Sequence, residues 1–451
     1  MERVMSIVKV RFPPSPTGYC HVGTARMAIL NYLFARKHGG SIVFRSEDTD
    51  KERSRAEYED DIRESLSWLG LSWDEFYRQS ERTHVYTTAL LQLIREGKAY
   101  VSEEESKKEP GVRVRPVRLK NPGTVITFAD EIRGEITFDT AELKDFVIAR
   151  SINDPLYHLA VVVDDHDMGI THVIRGEDHI SNTPRQILIQ EALGYSRPVY
   201  AHYPLHLSAD RAKLSKRTGD VAVRSYREKG YLSGALLNYL ATLGWTPPSG
   251  REILSLDDMV SEFELKDVHK SGAIFDLEKL RWYNRHYLHE LSPGEFAAEA
   301  SIILSEEMHT RGITVTDDLV LKLWPIIRER IGVWEDLREA IRDAEFDFFF
   351  KDPVLDSARI SQKGVEPNVT LKHLAACAEM LTSVTEEDFT ESHIKDRLWP
   401  YATSEGRGAV LWPLRYALSG LEKSPDPFVI LGIIGKETAL RRIEAARSQL
   451  V

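Results

Sequence analysis

The stretch "SPTGYCHVGT" at residues 15–24 combines residue types that can hold a phosphate group. It follows the apolar run "IVKVRF" and precedes the amphipathic "ARMAILNYLFARKHGG", which predict a strand and a helix. The first N–H groups and the positive end of the helix dipole then favour an anion at this corner. Gly18 and Gly23 permit close backbone approach, and His21 can hydrogen-bond a phosphate oxygen. A turn in which the glycines only shape the backbone explains the stretch equally well.

The polar loop "DRAKLSKRTGD" at residues 210–220 supplies a second basic element. Lys213 and Lys216 lie three positions apart within it, and Arg217 follows. Two such lysines can clamp a triphosphate and neutralise the charge that spreads onto a leaving pyrophosphate. The alternative is a solvated basic loop, which is the usual fate of a charge run.

The first 100 residues alternate between strand and helix patterns, in the order "IVKVRF", a helix from about Ala25, the strand "SIVFRSED" and the helix "AEYEDDIRESLSWLG". The alternation resumes at "LAVVVDDHDMGITHVIRGED", where the unbroken run "AVVV" predicts a central parallel strand buried on both faces. In between, residues 103–124 are rich in charge, Pro and Gly, and "TVITFADEIRGEITFD" alternates like a hairpin. These patterns predict an α/β Rossmann-like parallel sheet that is split by a short α+β insertion.

The strand patterns fade beyond about residue 230. Segments such as "GALLNYLATLGW", "LEKLRWYNRHYL" and "KETALRRIEAARSQLV" carry helical spacing, and Pro and Gly separate them. The second half of the chain is therefore predicted to be all-helical.

Composition narrows the class of protein. The 451 residues suffice for several domains, and the net charge of −11 means that any RNA must be met by local basic patches. No apolar stretch approaches the roughly 20 residues that span a bilayer, and the N-terminus resembles a strand rather than a signal peptide, so we expect a cytoplasmic protein without membrane contact. Cys20 and Cys377 are the only cysteines and lie far apart, which excludes a CxxC-type zinc site. Cys20 is expected to be a small buried filler.

The two phosphate-binding stretches together resemble the paired nucleotide signatures of class I aminoacyl-tRNA synthetases. A wider set, "RFPPSPTGYCHVGTAR", "FRSEDTD", "YHLAVVVDDHDMGITHVIRGEDHISNTPRQ", "KLSKR" and "FDLEKLRWYNRHYL", resembles the bacterial glutamyl-tRNA synthetases. The C-terminal "WPLRYALSG" and "FVILGIIGKETALRRIE" resemble the end of that family's anticodon-binding region. The resemblance covers nearly the whole chain except residues 101–124.

The resemblance implies a domain order. Residues 1–95 and 151–210 would form the two halves of a Rossmann catalytic domain, 96–150 a shortened acceptor-end insertion, 211–295 the KLSKR loop with a helical stem-contact domain, and 296–451 a helical anticodon-binding region.

It also implies a reaction. The α-carboxylate of L-glutamate attacks the α-phosphorus of ATP to give glutamyl-adenylate, and the terminal ribose 2′-OH of tRNA(Glu) then takes the acyl group. Mg²⁺ would enter with the ATP, no zinc or other dedicated metal site is expected, and charging of tRNA(Gln) stays open. We expect the protein to be a monomer.

Site residues follow from the same resemblance. The catalytic residues would be His21, Lys213 and Lys216. The ATP-binding set would be Thr17, Gly18, His21, Gly23, Thr24, Lys213, Leu214, Ser215 and Lys216. The glutamate-binding set would be Arg11 on the side-chain carboxylate, Arg175 on the α-carboxylate, Ser15 and Glu47 on the ammonium, and Tyr157 closing the pocket. Guanidinium groups suit carboxylates because they bind them in a planar, bidentate manner.

The chain departs from the family in three places. The insertion is short and lacks cysteine, so the family's acceptor-stem contacts do not carry over to it directly. We expect a small hairpin there, with its basic residues facing RNA; they are Arg113, Arg115, Arg118 and Lys120. Thr24 stands at the second position of the signature histidine pair. In the anticodon region we place Asp347 near the position that separates glutamate from glutamine anticodons, and an acidic residue there does not supply an arginine donor.

Three further features have plain structural explanations. "DDHD" at 164–167 looks like a metal cluster, but residues of a strand alternate between its faces and cannot easily converge. The stripe of Phe346, Phe348, Phe349 and Phe350 is expected to be helix core. Arg441, Arg442 and Arg447 fit RNA contact or a solvated helix face equally well.

Other functions compete with the ligase. A shorter paralogue adds glutamate to a modified tRNA base, but the roughly 150 helical residues after 300 count against it. A non-catalytic regulatory paralogue typically loses the signature His or the loop lysines, and these are present. A mutase, hydrolase or kinase would use the phosphate motifs and leave the helical half unexplained.

Overall fold

Parallel strands and helices alternate through the first part of the chain in the computed structural model, which describes residues 7–106, 111–207 and 221–450. The strands are β1 (Lys9–Phe12), β2 (Ser41–Ser46), β3 (Glu75–Arg78), β4 (Ala99–Val101), β5 (Glu104–Glu105), β6 (Arg113–Val114), β7 (Val117–Leu119), β8 (Val125–Asp130), β9 (Gly134–Asp139), β10 (Phe146–Ser151), β11 (Asp154–Pro155), β12 (His172–Gly176), β13 (Val199–Tyr203), β14 (His206–Leu207) and β15 (Ala273–Ile274).

Nineteen α-helices lie within those described residues. They are α1 (Val22–Lys37), α2 (Ala56–Trp68), α3 (Thr83–Arg95), α4 (Tyr157–Asp167), α5 (Thr183–Leu193), α6 (Val223–Glu228), α7 (Ser233–Thr242), α8 (Leu256–Glu262), α9 (Leu277–Glu290), α10 (Pro293–His309), α11 (Asp317–Arg330), α12 (Trp334–Arg342), α13 (Asp347–Phe350), α14 (Ser357–Ile360), α15 (Pro367–Thr382), α16 (Glu391–Glu405), α17 (Arg407–Ser419), α18 (Pro427–Ile434) and α19 (Lys436–Ser448).

Strand β1 lies where the two halves of the sheet meet. It pairs in parallel with β2, which pairs in parallel with β3, while β12 pairs in parallel with β13. At the start of β12 the Thr171 amide donates to the Lys9 carbonyl at 2.9 Å, and the Lys9 amide donates to the Thr171 hydroxyl at 2.8 Å. The strands therefore lie in the order β3-β2-β1-β12-β13. The strand order reverses between β1 and β12, because β2 and β3 are added on one side of β1 and the later strands on the other. The predicted parallel sheet split by an insertion is confirmed.

Helices cover both faces of this sheet. Helix α1 packs on β1, β2 and β12, and its Asn31 amide donates to the Ile174 carbonyl at 3.1 Å. Helices α3, α4 and α5 share a core with Val43 and Val173 on the strands. Burial on both faces explains the apolar, β-branched strands.

The run "AVVV" forms part of α4, so the prediction of a central strand there was wrong. Residues Leu159–Val163 are all buried, because α4 is enclosed by α3, α5 and β10. A short run that is apolar on every side has no periodicity, and its sequence does not separate a buried helix from a buried strand. The following "HVIRG" forms β12, as expected.

The hairpin predicted after residue 124 is confirmed as β8 and β9, which pair from Val125 opposite Asp139 to Asp130 opposite Gly134. It also continues the parallel sheet, because Tyr200 of β13 pairs with Asp130. A separate antiparallel sheet has the order β11-β10-β7-β4.

Three of the four basic residues of the insertion pair with its own carboxylates. Arg118 contacts Glu104 at 2.6 Å, so its guanidinium is committed within the insertion. Arg113 and Arg115 are exposed and approach Glu103 at 3.4 and 3.7 Å. Lys120 is exposed.

Residues 285–451 form a second unit, which follows the unit of residues 1–284. Its described part consists of helices, and Phe346, Phe348 and Phe349 are buried among them, as expected. Phe350, the fourth residue of the stripe, is only partly buried. Arg442 is also buried and holds the carbonyls of Leu418 and Lys351, so it lies on no solvated face.

Asp347 is buried as well, and its carboxylate pairs with Arg311 and, at 2.8 Å, with Lys351. Both contacts are made by Oδ2, while Oδ1 is buried without a hydrogen-bond partner. None of the described helices is both long and apolar enough to span a bilayer.

Thr171→Val should lower the free energy of unfolding by about 1 kcal/mol, because the isosteric valine cannot accept the Lys9 amide or donate to the Lys9 carbonyl. Urea unfolding would show a lower midpoint with an unchanged slope. Thr171→Ser retains the hydroxyl and should unfold close to the wild type. Equal midpoints for Thr171→Val and wild type would mean that these hydrogen bonds do not stabilise the junction between β1 and β12.

Candidate active site

A cavity of about 370 Å³ opens at the carboxyl ends of β1 and β12. Its lining consists of Arg11, Pro13, Pro14, Ser15, His21, Gly23, Thr24, Arg26, Met27, Glu47, Tyr157, Arg175, Gly176, Asp178, His179, Tyr203 and Leu205. Open α/β sheets bind ligands at the point where the strand order reverses, and this cavity lies at that point.

His21 caps the N-terminus of α1. Its Nδ1 accepts the Gly23 amide at 2.9 Å, so in the neutral ring the hydrogen lies on Nε2. A Cβ at Gly23 would stand only 3.1 Å from that Nδ1, which is why a side chain there would press on the imidazole. The corner thus combines the first amides of a long helix with a fixed imidazole, an arrangement suited to an anion.

The chain returns to this corner just after the basic loop. The Val22 amide donates to the Val221 carbonyl at 2.8 Å, and the Val223 amide donates to the Cys20 carbonyl at 2.8 Å. The loop residues predicted to bind ATP lie outside the described residues; they are Lys213, Leu214, Ser215 and Lys216. The described chain before the loop also reaches the cavity, through Leu205.

Arg175 is buried at 4% exposure and contacts only neutral groups. Its guanidinium donates to His202 at 3.0 Å, to Gln186 at 2.8 Å and to Thr183 at 2.8 Å. Within the described ranges no carboxylate lies in ion-pair distance of it. Burial lowers the pKa of Arg175, and its positive charge makes the cavity attractive to an anion.

Arg11 and Glu47 belong to a buried ionic network. Arg11 Nε donates to Asp165 Oδ1 at 3.2 Å, and the same oxygen accepts Arg45 Nη1 at 2.7 Å. Arg45 Nη2 donates to Glu47 Oε1 at 3.0 Å. Arg11 Nη1 is buried and has no hydrogen-bond partner. The Glu47 amide also bonds the Pro14 carbonyl at 2.9 Å, which ties the ends of β1 and β2 together.

Burial opposes the charge on both carboxyls, with different results. It raises the pKa of Glu47, and the positive charges of Arg45 and Arg11 counter only part of that rise. For Asp165 the opposing effect of Arg11 and Arg45 is larger than the effect of burial, so its pKa lies below the usual range. Asp165 is therefore the firmly ionised partner of the two arginines.

Tyr157 and His179 form another part of the wall. The Tyr157 hydroxyl lies 3.3 Å from His179 Nδ1, and the Asn182 amide lies 3.1 Å from the same nitrogen. Burial, aided by the Arg175 charge, lowers the pKa of His179 to about 4. His179 is therefore neutral at pH 7, and adds no charge to the cavity.

The cavity brings together most of the residues predicted from sequence. Those that line it are Arg11, Ser15, His21, Gly23, Thr24, Glu47, Tyr157 and Arg175. Thr17 and Gly18 lie in the turn before His21 and do not line it. Their roles toward ATP and glutamate stay predictions. Cys20 is fully buried, as expected.

Sequence reasoning missed several residues of the site, namely Arg26, Asp178, His179, Arg45 and Asp165. One signal was available, because "SIVFRS" places Arg45 at the end of a strand buried on both faces, and a charge there needs a buried partner. Arg26 is fully buried beside Tyr203 and donates to the Pro204 carbonyl at 2.8 Å.

The sequence "DDHD" ends α4, so the expectation that it alternates on a strand was wrong. Asp164 accepts bonds from Gln79 at 2.9 Å, from Tyr86 at 2.8 Å and from Arg82 at 2.8 Å. These acidic residues therefore pair with neighbouring side chains. Across the described chain no group of three or more His, Cys, Asp or Glu residues is arranged to hold a metal ion.

Comparison with known proteins decides the family. The family described as "tRNA synthetases class I (E and Q), catalytic domain" matches residues 7–109 and 103–282, and "Anticodon binding domain" matches 288–447. The glutamate–tRNA ligase of Aquifex aeolicus (strain VF5) is 40% identical over 97% of this chain and 98% of its own. That of Thermodesulfovibrio yellowstonii is 38% identical over 97% and 98%. The chain belongs to the glutamate–tRNA ligase family.

Solved structures of the family agree with this assignment. A glutamate tRNA ligase from Elizabethkingia meningosepticum, in complex with its amino acid, has a TM-score of 0.88 and 32% identity over 99% of this chain and 100% of that chain. The glutamate-tRNA synthetase of Elizabethkingia anophelis has a TM-score of 0.84 and 31% identity over 98% and 100%. The family's catalytic match ends at residue 282, close to the end of the first unit at 284.

Acidification should destabilise the protein well above the range in which carboxylates titrate. Burial lowers the pKa of His158, His172 and His179 to about 4 each. Below about pH 6.5 these histidines bind protons in the unfolded chain but stay neutral in the folded protein. Their contribution to the free energy of unfolding is therefore fully present above about pH 6.5 and is lost as the pH falls toward about 4. The loss at about pH 5 is roughly 1–2 kcal/mol for each histidine.

Urea unfolding of wild type and His172→Gln at about pH 7 and about pH 5 measures one histidine's share. The variant should lose less stability than the wild type on acidification, by that roughly 1–2 kcal/mol. An equal loss in both proteins would show that His172 does not resist protonation in the folded state.

Proposed function

We propose that this chain joins L-glutamate to tRNA(Glu) in an ATP-dependent reaction. The observation that carries the proposal is the cavity at the strand-order reversal, where the buried Arg11, Arg175 and Glu47 lie beside the N-terminus of α1. Glutamate has two carboxylates and one ammonium, and ATP is a polyanion. The cavity supplies groups of opposite charge for each of them.

The glutamate half follows from the arginines. Arg175 has only neutral partners among the described residues, and it would take the α-carboxylate. Arg11 has an unpartnered Nη1, and it would take the side-chain carboxylate. Glu47 and Ser15 would hold the ammonium, and Tyr157 would close the pocket.

The ATP half follows from the corner. His21, Gly23 and Thr24 line the cavity and would contact the nucleotide, with Thr17 and Gly18 in the preceding turn. Lys213, Leu214, Ser215 and Lys216 would complete the site. The pairing of Val22 with Val221 supports this, because it returns the chain to His21 directly after the basic loop. Mg²⁺ would enter with the ATP and neutralise part of its charge.

The reaction needs alignment rather than an enzyme nucleophile. An oxygen of the α-carboxylate attacks the α-phosphorus, and the bond to pyrophosphate breaks. The 2′-OH of the terminal adenosine then attacks the acyl carbonyl, loses its proton and releases AMP. Holding two anions in line and stabilising the charge that spreads onto pyrophosphate supplies much of the acceleration.

The second unit would bind the tRNA anticodon, since residues 288–447 match the anticodon-binding family. Asp347 is buried and its Oδ2 pairs with Arg311 and Lys351, so we assign base recognition to more exposed side chains. Charging of tRNA(Gln) beside tRNA(Glu) is the alternative specificity. We propose a monomer that works in the cytoplasm.

Acylation of purified tRNA(Glu) and tRNA(Gln), side by side, tests the function and its specificity. The protein should form glutamyl-tRNA(Glu) from ATP and glutamate. Absence of acylation with either tRNA, while glutamate or ATP still binds, would favour the regulatory paralogue. Charging of both tRNAs would identify a non-discriminating enzyme.

Lys216→Ala should lower adenylate formation by about 10²–10³-fold, as the removal of one preorganised charge donor commonly does. Its thermal unfolding should match the wild type. Lys266→Ala, which removes an exposed lysine that does not line the cavity, is the matched control and should keep full activity. Full activity in Lys216→Ala would show that Lys216 plays no part in catalysis and would favour a solvated basic loop.

A further inference from the structure

Four buried side chains connect two sides of the glutamate pocket. They run in the order Arg11, Asp165, Arg45 and Glu47, with contacts of 3.2, 2.7 and 3.0 Å between successive groups. Their exposures are 2%, 6%, 0% and 7%. Only the two end members line the cavity; Asp165 and Arg45 lie behind them.

The position of the contacts matters as much as their strength. Asp165 accepts a hydrogen bond from Arg11 Nε, and this bond fixes the plane of the guanidinium. It leaves Nη1, which has no hydrogen-bond partner, available to a ligand. Arg45 donates two hydrogen bonds to Glu47, from Nε at 3.3 Å and from Nη2 at 3.0 Å, and both go to Oε1. The two ligand-facing groups are thereby oriented from behind.

The network also keeps Arg11 and Glu47 from neutralising each other. The positive charge of Arg11 acts on Glu47, but no hydrogen bond joins the two among the described contacts. Asp165 supplies Arg11 with its carboxylate and Arg45 supplies Glu47 with its cation. A buried arginine that lost Asp165 would turn to the nearest remaining carboxylate, because an unpaired buried charge is costly.

On the basis of the proposed function, we infer that Asp165 and Arg45 are positioning residues for glutamate: they hold Arg11 toward its side-chain carboxylate and Glu47 toward its ammonium. Neither residue touches the substrate. Loss of Asp165 lets Arg11 pair with Glu47, so one change removes both ligands from the pocket. The affected quantity is affinity for glutamate, while the ATP half of the cavity keeps its own partners.

Asp164 provides a matched control. It precedes Asp165 on α4, is fully buried and carries the same charge. Its hydrogen bonds go to Gln79, Tyr86 and Arg82, none of which lines the cavity. Its Oδ2 also lies 3.8 Å from Arg45 Nε, beyond hydrogen-bond distance, whereas Asp165 accepts a 2.7 Å hydrogen bond from Arg45. Asp164→Asn and Asp165→Asn therefore make the same chemical change at neighbouring buried sites.

The experiment measures KM for glutamate and for ATP in acylation, glutamate binding by calorimetry, and thermal unfolding, in wild type, Asp165→Asn and Asp164→Asn. Asp165→Asn should raise KM and Kd for glutamate at least about 10-fold and KM for ATP less than about 3-fold, since about 1.4 kcal/mol of lost binding is tenfold. Asp164→Asn should lower the unfolding temperature and leave both KM values within about 3-fold.

Two outcomes would overturn the inference: unchanged glutamate affinity in Asp165→Asn, or equal losses in both variants. If Asp165→Asn does not fold, Arg45→Lys decides in the same way, because lysine keeps the charge but cannot bridge Asp165 and Glu47 as a fork does. Wild-type protein that binds no glutamate would overturn the proposed function itself, which separates that failure from a failure of the positioning pair.

Discussion

The structure of the site depends on arginines carried into the interior at the ends of parallel strands. Arg11, Arg45 and Arg175 lie on β1, β2 and β12, and each is at most 4% exposed. Buried charge must be paired or neutralised. Asp165 of α4 pairs with Arg11 and Arg45. Arg175 is held by neutral groups, so its charge beside the cavity is uncompensated. The anion site therefore exists because the fold gives Arg175 no carboxylate partner among the described residues.

The nucleotide corner rests on a different device. The sheet ends, α1 begins, and His21 turns back to accept the Gly23 amide. The backbone pairing of Cys20–Val22 with Val221–Val223 then fixes this corner against the chain that follows the basic loop. Elements nearly 200 residues apart in sequence are thus joined by main-chain bonds, which depend little on side-chain identity. The position of the corner is secured independently of any ligand.

Elements that depend on short-range sequence patterns were predicted correctly. The strands β1 and β2, helix α1 and the β8–β9 hairpin follow from periodicity and turn residues, and the resemblance placed eight ligand candidates in one cavity. The failures share a cause: a run such as "AVVV" is apolar on all sides, and the partner of a buried charge lies far away in sequence. Asp165 is 120 residues from Arg45 and 154 from Arg11. Only the assembled fold reveals such pairs.

The wrong assignment of α4 bears directly on the site. On a strand, Asp164 and Asp165 would point to opposite faces, and one of them would turn away from the arginines. On a helix, successive side chains are rotated by about 100°, so both can enter one buried layer while taking different partners. The hydrogen bonds of Asp164 come from Arg82 and Tyr86 at the start of α3, and those of Asp165 come from Arg11 of β1 and Arg45 of β2. Asp164 adds only a longer ion pair to Arg45, at 3.8 Å. Two successive residues of α4 thus send their hydrogen bonds to different places: Asp164 ties the helix to α3, and Asp165 ties it to the arginines behind the pocket.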